Sequence, residues 1–377
     1  MVSEKTTTKD AESGADAESG AEAESAPARK SAIRNPQSAI GKSAIEGAAG
    51  ARLRRALLWL TLVLLASTLV ALWVGYQRLD FMALRTDARA RMIFFELRLP
   101  RVVMAGVVGA SLGIVGAALQ AMFRNPLAEP LTLGVSGGGA LGASVAIAFG
   151  MGARVAGLPV IFVAAFLGAC ASVVVVYRLA RTGATVLPGA LLLAGIVINT
   201  IAAAGVVILQ YFADYSRAMQ ILRWTIGSLD VVGFDLVWWM LIFLVPGWVV
   251  LLLLSRDLHL LAVDEETAHS LGVNVRRSER LVYVASSLVV GVTVAVGGTI
   301  GFVGLIVPHA VRLMFGEDVR IVLPCSFVLG AAFLMLADAV ARTILGAGEL
   351  PVGAITALAG GPVFLWLLRR QQRYTAM

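Results

Sequence analysis

The chain has 377 residues, of which 58% are hydrophobic and only 15% charged, with a net charge of +7. Soluble domains average about 45–50% apolar and about 25% charged residues, so a single water-facing globule is excluded and an all-α polytopic membrane protein is expected. Two cysteines far apart in apolar runs, Cys170 and Cys325, and three scattered histidines, His259, His269 and His309, argue against a disulfide framework or a metal site.

Residues 1–50 differ in kind from the rest. AESGADAESGAEAES is acidic and of low complexity, and SAI recurs three times in KSAIRNPQSAIGKSAIE. Neither stretch has the apolar mass to offset the entropy of ordering, so a disordered cytoplasmic tail over 1–50 is expected ahead of a transmembrane domain over 51–377. PQSAIGKS (Pro36 to Ser43) resembles a phosphate-binding loop with proline in place of its first glycine. It lacks the preceding strand and the glycine cradle, so no nucleotide site is expected. No basic segment followed by a short apolar run opens the chain, so a cleaved signal peptide is not expected either.

Ten apolar spans follow, at 56–76, 102–122, 131–150, 157–179, 189–212, 236–254, 280–298, 299–315, 321–340 and 351–368, with the Gly297-Gly298 split the weakest division. Arg52, Arg54 and Arg55 precede the first span and Arg369, Arg370 and Arg373 follow the last, which places both ends in the cytoplasm. The loop between spans one and two is the exception, with Arg78, Arg85, Arg89, Arg91, Arg98 and Arg101 on the outer side. Arginines held there against the orientation bias are read as either a solvated face or a docking surface for an acidic partner.

Glycines recur at helical spacing in span two (Gly109, Gly113, Gly116) and span three (Gly134, Gly138, Gly142), which predicts close helix packing. The pattern G-x-x-L-G-x-V-G at Gly109–Gly116 is echoed by G-x-x-I-G-x-V-G at Gly297–Gly304. Polar residues within spans, Gln120, Asn199, Gln210 and Asp338, invite a functional reading; Asp338 can also pair with Arg342 four residues on. Tyr211, Tyr215 and Arg217 near the outer end of span five serve equally as interfacial anchors or as contacts for a planar or anionic ligand.

The stretch RNPLAEPLTLGVSGGGALGAS (Arg124 to Ser144) interrupts this apolar pattern. Pro126 and Pro130 are placed to end span two and start span three, with Asn125 and Glu129 available to bond the freed backbone groups. Between spans six and seven, at about 255–279, lies the longest inner insert, SRDLHLLAVDEETAHSLGVNVRRSER. Asp264 as N-cap, Glu265 and Glu266 in the first turn and Gly272 as terminator predict a short helix over Glu265–Leu271, with Ala268 and Leu271 as its apolar face.

ELRLPR (Glu96–Arg101), GAALQAMFRNPLAEPLTLGVSGG (Gly116–Gly138), LHLLAVDEETAHSLGV (Leu258–Val273), GFVGLIVPHAVRL (Gly301–Leu313), LADAVAR (Leu336–Arg342) and ELPVGAITALAGGPVFLWLL (Glu349–Leu368) resemble the FecCD/BtuC-type permeases of ATP-binding-cassette importers. The resemblance runs from about Glu96 to Arg370. It implies a homodimer of ten-helix chains around one path lined mainly by helix five, where Asn199 and Gln210 lie. It also implies two ATPase subunits inside and a substrate-binding protein outside, in a bacterial or archaeal cytoplasmic membrane, with no nucleic-acid partner. On it, Asp264, Glu265, Glu266, Ala268, His269, Leu271 and Gly272 seat the ATPase. Arg98, Arg101 and Arg342 dock the binding protein, and Asn125, Pro126 and Leu127 form the cytoplasmic gate. The second gate segment of the family reads RTGATVLPGALLLAG here, with Pro188-Gly189 departing from the pattern.

No catalytic residues, cofactor or resident metal are expected. The cargo implied is a ferric siderophore or haem, with cobalamin as the alternative. A secondary transporter would need coupling carboxylates at mid-membrane, and Asp338 with its Arg342 neighbour fits that poorly. An intramembrane enzyme would need a Ser/His, paired-Asp or H-E-x-x-H arrangement, none of which is present.

Overall fold

The computed structural model describes residues 36–75, 83–155, 157–182, 185–186, 188–345 and 349–375. Residues 1–35 of the expected tail lie outside them, as does Arg78. Helix α1 (Pro36–Trp73) begins inside the segment expected to lack structure. Ala39, Ala44, Ala48 and Ala49 favour helix there, against Gly41, Gly47 and Gly50. The compact unit covers Ala49–Met377.

Short turns α2 (Ala83–Thr86) and α3 (Ala88–Met92) lead through a π-helical stretch, Ile93–Arg98, into α4 (Leu99–Met122). A 3-10 turn, Pro130–Leu133, precedes α5 (Val135–Ala148). Two-residue antiparallel ladders, Arg154–Val155 with Leu158–Pro159 and Arg181–Thr182 with Thr185–Val186, flank α6 (Val160–Ala180). Then come α7 (Pro188–Phe212), α8 (Tyr215–Ile226), α9 (Asp235–Leu253), α10 (Ser255–Val263) and α11 (Glu265–Ser270). The chain closes with α12 (Val275–Gly297), α13 (Val303–Phe315), α14 (Val319–Ala341) and α15 (Val352–Thr375).

Among the described residues, seven segments are long and apolar enough to cross a bilayer, and Val135–Ala148, Val303–Phe315 and Val352–Trp366 are shorter apolar helices. Together they account for the ten spans read from the sequence. At 1.5 Å per residue, α5 and α13 reach only about 20 Å, short of a hydrocarbon core of about 30 Å. Each follows a break, and the breaks are where the site lies. The division at Gly297-Gly298 is real: α12 ends at Gly297 and Gly298 turns left-handed at φ +68°.

Helix α4 is the centre of the unit, with 89% of its apolar window buried against 22% for α1, α6 and α7. Glycines make that burial possible. A Cβ on Gly109 or Gly113 would strike the carbonyls of Gly330 or Ser326 on α14, and one on Gly116 would lie 1.9 Å from the carbonyl oxygen of Gly304. On α5, Gly138 and Gly142 meet the backbone of α6 at Gly168 and Ala164 in the same way. Both stripes therefore pack backbone to backbone, the arrangement that drives association in lipid. The two echoed glycine motifs also touch, Gly116 against Gly304.

Candidate translocation site

Helix α4 ends at Met122, and two residues on Arg124 adopts φ +49° while the Asn125 N–H donates to the Gln120 carbonyl at 3.2 Å. The Asn125 side chain then accepts the Leu127 N–H at 2.9 Å, holding Pro126 in a tight turn that leaves Leu127 45% exposed. Glu129 is extended ahead of Pro130, as a pre-proline residue must be, and Gly134 supplies the left-handed step (φ +82°) into α5. The backbone groups freed here find partners on α7: Asn199 donates to the Leu131 carbonyl at 2.7 Å and accepts the Gly137 N–H at 2.9 Å. Asn199, expected along the path, is thus committed to securing the break. Gln210 lies about three turns on, on the same face, half-buried and without a side-chain hydrogen bond among the described residues.

The second break, between α12 and α13, is tied to the first. Phe302 is left-handed (φ +66°), and its N–H donates to the Glu129 carboxylate at the N-terminus of α13. A carboxylate suits that position because the first N–H groups of a helix lack partners and carry the positive end of its dipole. Gln120 donates to the carbonyls of Gly304 and Leu305 at 3.2 and 3.4 Å and accepts from the Arg312 guanidinium at 2.5 Å. Glu129 and Gln120 therefore lace the two interrupted helices together. Sequence reasoning singled out both residues but had no local signal for their partners.

Around α11 the expected cap is present. The Asp264 carboxylate accepts the Thr267 N–H at 2.9 Å and the Thr267 hydroxyl at 3.1 Å. Those bonds, the N–H first, hold its carboxyl below the usual aspartate range. Gly272, at φ +87°, ends the helix, with the Val273 N–H on the Ala268 carbonyl at 3.0 Å. The helix ends one residue before the expected Leu271, and the two residues of the expected apolar face part: Ala268 is fully buried among Leu261, Val273 and Val275, whereas the capping Leu271 is 60% exposed. Glu265, Glu266, His269 and Gly272 line an open cavity of about 810 Å³. Arg124 approaches Glu265 at 3.7 Å, so the α4 break and α11 occupy the same end of the molecule.

The opposite end holds Arg98, Arg101 and Arg342, and here too the structure corrects the expectation of surface arginines. Arg98 and Arg342 are only 7% and 6% exposed. The fully buried Asp338 accepts Arg101 Nε at 3.0 Å and Arg342 Nε at 2.8 Å. Arg101 also reaches Glu349 at 2.6 Å and Asp230 at 3.5 Å. Arg342 donates to the Ala71 carbonyl at 3.0 Å and Arg98 to the Leu72 carbonyl at 3.0 Å. These are last-turn carbonyls of α1, which have no intrahelical donors and draw cations to the helix C-terminus. The three arginines thus hold α1, α4 and α14 together, while Arg85, Arg89 and Arg91, interspersed with Asp87 and Glu96, are exposed charges among the described residues of the same loop. Arg217 is likewise engaged, with Asp214 at 3.2 Å and the Ala148 carbonyl at 2.8 Å, and Tyr211 and Tyr215 project freely.

Among the described residues no group of three or more His, Cys, Asp or Glu side chains is placed to hold a metal ion. Gln120, Glu129 and Asn199 instead satisfy broken backbone at two helix interruptions.

The FecCD transport family pattern matches residues 56–370. The hemin transport system permease protein HmuU of Yersinia pestis is 41% identical over 282 residues, spanning 74% of this chain and 84% of that protein. The vitamin B12 import system permease protein BtuC of Klebsiella pneumoniae is 38% identical over 323 residues, spanning 85% of this chain and 95% of that protein. A solved inward-facing ABC transporter assigned to the metal-chelate type superposes with a TM-score of 0.74 at 32% identity, covering 84% of this chain and 99% of the other. The chain is a multi-pass membrane protein that belongs to the FecCD transport family.

Proposed function

We propose that this chain is the permease subunit of an ATP-driven importer carrying a metal chelate, a ferric siderophore or haem, across a bacterial or archaeal cytoplasmic membrane. The observation that carries the reading is the pair of laced helix breaks. Interrupted helices whose backbone is satisfied by neighbouring side chains form a closure that can rearrange without exposing bare peptide groups to lipid. Asn125, Pro126 and Leu127 form the moving lip, and Glu129, Gln120 and Asn199 are its hinges. Two chains form a homodimer around one path, with Gln210 facing it.

Two ATPase subunits seat on the α11 cavity. Its mixed acidic and histidine lining and its salt link to Arg124 give a short route from that surface to the lip. A substrate-binding protein docks at the opposite end. There the buried Arg98 and Arg342 and the half-buried Arg101 set the geometry of a rigid rim, and the exposed Arg85, Arg89 and Arg91 supply charge for an acidic partner. Nucleotide and binding protein each move the permease only as far as they prefer one of its two states.

The similarity to HmuU supports haem or a related iron chelate, and the similarity to BtuC supports cobalamin as the second reading. Vesicles holding the permease with its ATPase and binding protein, offered labelled haem, ferric siderophore and cobalamin in parallel, test the choice. ATP-dependent uptake of an iron chelate or haem is expected. Uptake of cobalamin alone would select the second reading, and uptake of none would refute both.

A further inference from the structure

A groove of about 580 Å³ opens between the start of the α1 span and the junction of α13 with α14, lined by Arg52, Arg55, Trp59, Met314, Phe315 and Ile321. Arg52, Arg55 and Trp59 are spaced three and four apart and so share one face of α1. Arg52, Arg54 and Arg55 are all exposed, and no acidic side chain lies within ion-pair distance of them among the described residues. In the α13–α14 turn beside the groove, Asp318 is held by Arg320 at 2.8 Å and the exposed Glu317 faces Arg312. The groove thus has an uncompensated cationic rim above an apolar wall.

Its depth follows from the helix that borders it. Just past Arg55, α1 exposes Leu58, Leu62, Leu65 and Leu69 by more than half each, an apolar surface that lipid must cover. Arginines at the head of such a run, with tryptophan a turn deeper, sit at headgroup level. Two guanidiniums there match a phosphodiester, and Trp59, Met314 and Phe315 match the first carbons of acyl chains. A free phosphate would leave the apolar wall wet, and a zwitterionic lipid would bring its own cation against the arginines.

We propose that this groove binds one anionic phospholipid, which bridges α1 to the α13–α14 junction. The proposal stands on the membrane setting of the chain and not on its cargo. Full-length protein in detergent is incubated with equal amounts of phosphatidylglycerol and phosphatidylcholine of identical chains, and retained lipid is counted by native mass spectrometry. Wild-type protein is expected to retain phosphatidylglycerol selectively. R52Q/R55Q is expected to weaken that retention about thirtyfold, the equivalent of about 1 kcal/mol for each basic residue facing anionic lipid. R54Q removes the same kind of charge outside the groove and is expected to leave retention unchanged. R52K/R55K, which preserves the charge that orients the span, is expected to keep part of the preference. Equal retention of the two lipids by wild-type protein, unchanged selectivity in R52Q/R55Q, or displacement of the lipid by millimolar glycerol 3-phosphate would overturn the proposal.

Discussion

Removing the Asp338 carboxylate strikes the network that fastens α1, α4 and α14. Asp338 is fully buried and accepts from Arg101 at 3.0 Å and from Arg342 at 2.8 Å. In Asp338→Ala, Arg101 keeps Glu349 at 2.6 Å, but Arg342 keeps only backbone carbonyls such as that of Ala71. Breaking a buried pair by deleting one partner costs about 3–5 kcal/mol because the survivor remains desolvated and unpaired. With Arg101 still compensated, the lower part of that range is expected, about 3–4 kcal/mol. Equilibrium unfolding in mixed micelles measures it. A double-mutant cycle with Arg342→Met separates the pair from its surroundings, since Arg342→Met in the Asp338→Ala background should cost at least about 1 kcal/mol less than in wild type. Loss of under 1 kcal/mol in Asp338→Ala, or strict additivity in the cycle, would refute the reasoning.

Gly116→Ala sets a methyl group against the Gly304 carbonyl, where no rotamer change can relieve it; about 1–3 kcal/mol of destabilisation is expected, against no loss for Gly361→Ala, which faces open space, and equal unfolding curves for the two would contradict the packing. Glu129→Ala deprives the Phe302 N–H of its acceptor whereas Glu129→Gln retains one, so amide exchange at Phe302 should quicken in the alanine variant well beyond the glutamine variant; matching rates would remove Glu129 from its role as a tie between the breaks. Ala268→Pro eliminates the bond from the Ala268 N–H to the Asp264 carbonyl within α11, and should abolish co-purification of the ATPase; an intact complex would show that α11 is not its seat. Asp264 has its pKa depressed by Thr267, so its cap is fully present above the ordinary aspartate value of about 3.9 and lost only as pH falls through the lower folded value. ATPase association should therefore show no Asp264-dependent change between about pH 5 and 8, and a difference between wild type and Asp264→Asn that titrates in that window would count against the cap.

Spans were legible because lipid demands long apolar runs, and α11 because Asp264 and Gly272 are local punctuation. Helices α8 and α10 went unread: both mix charged and apolar residues, and only Asp214, whose carboxylate accepts the Arg217 N–H at 3.0 Å, marked the start of α8. The site was legible by half. Asn125 bonding its own turn is a local event, and so is the Asp338–Arg342 pair at four residues' spacing. Burial of that pair is not local, because it depends on Arg101 and the α1 carbonyls arriving from far along the chain. The same holds for Glu129 finding Phe302 and Asn199 finding Gly137. Spacing says that a broken helix needs partners, and only the fold says which residues supply them. Leu271 marks the limit of a helical count: the helix ends at Ser270, so the two residues of the expected apolar face part, Ala268 buried and Leu271 exposed.

The most direct measurement uses sealed vesicles containing this chain alone, or this chain with its ATPase and binding protein, loaded and supplied with known concentrations of labelled haem or ferric chelate. A permease driven from outside its own sequence predicts accumulation against the gradient only when ATPase, binding protein and ATP are all present. Uphill accumulation by the chain alone, abolished by an ionophore, would contradict it.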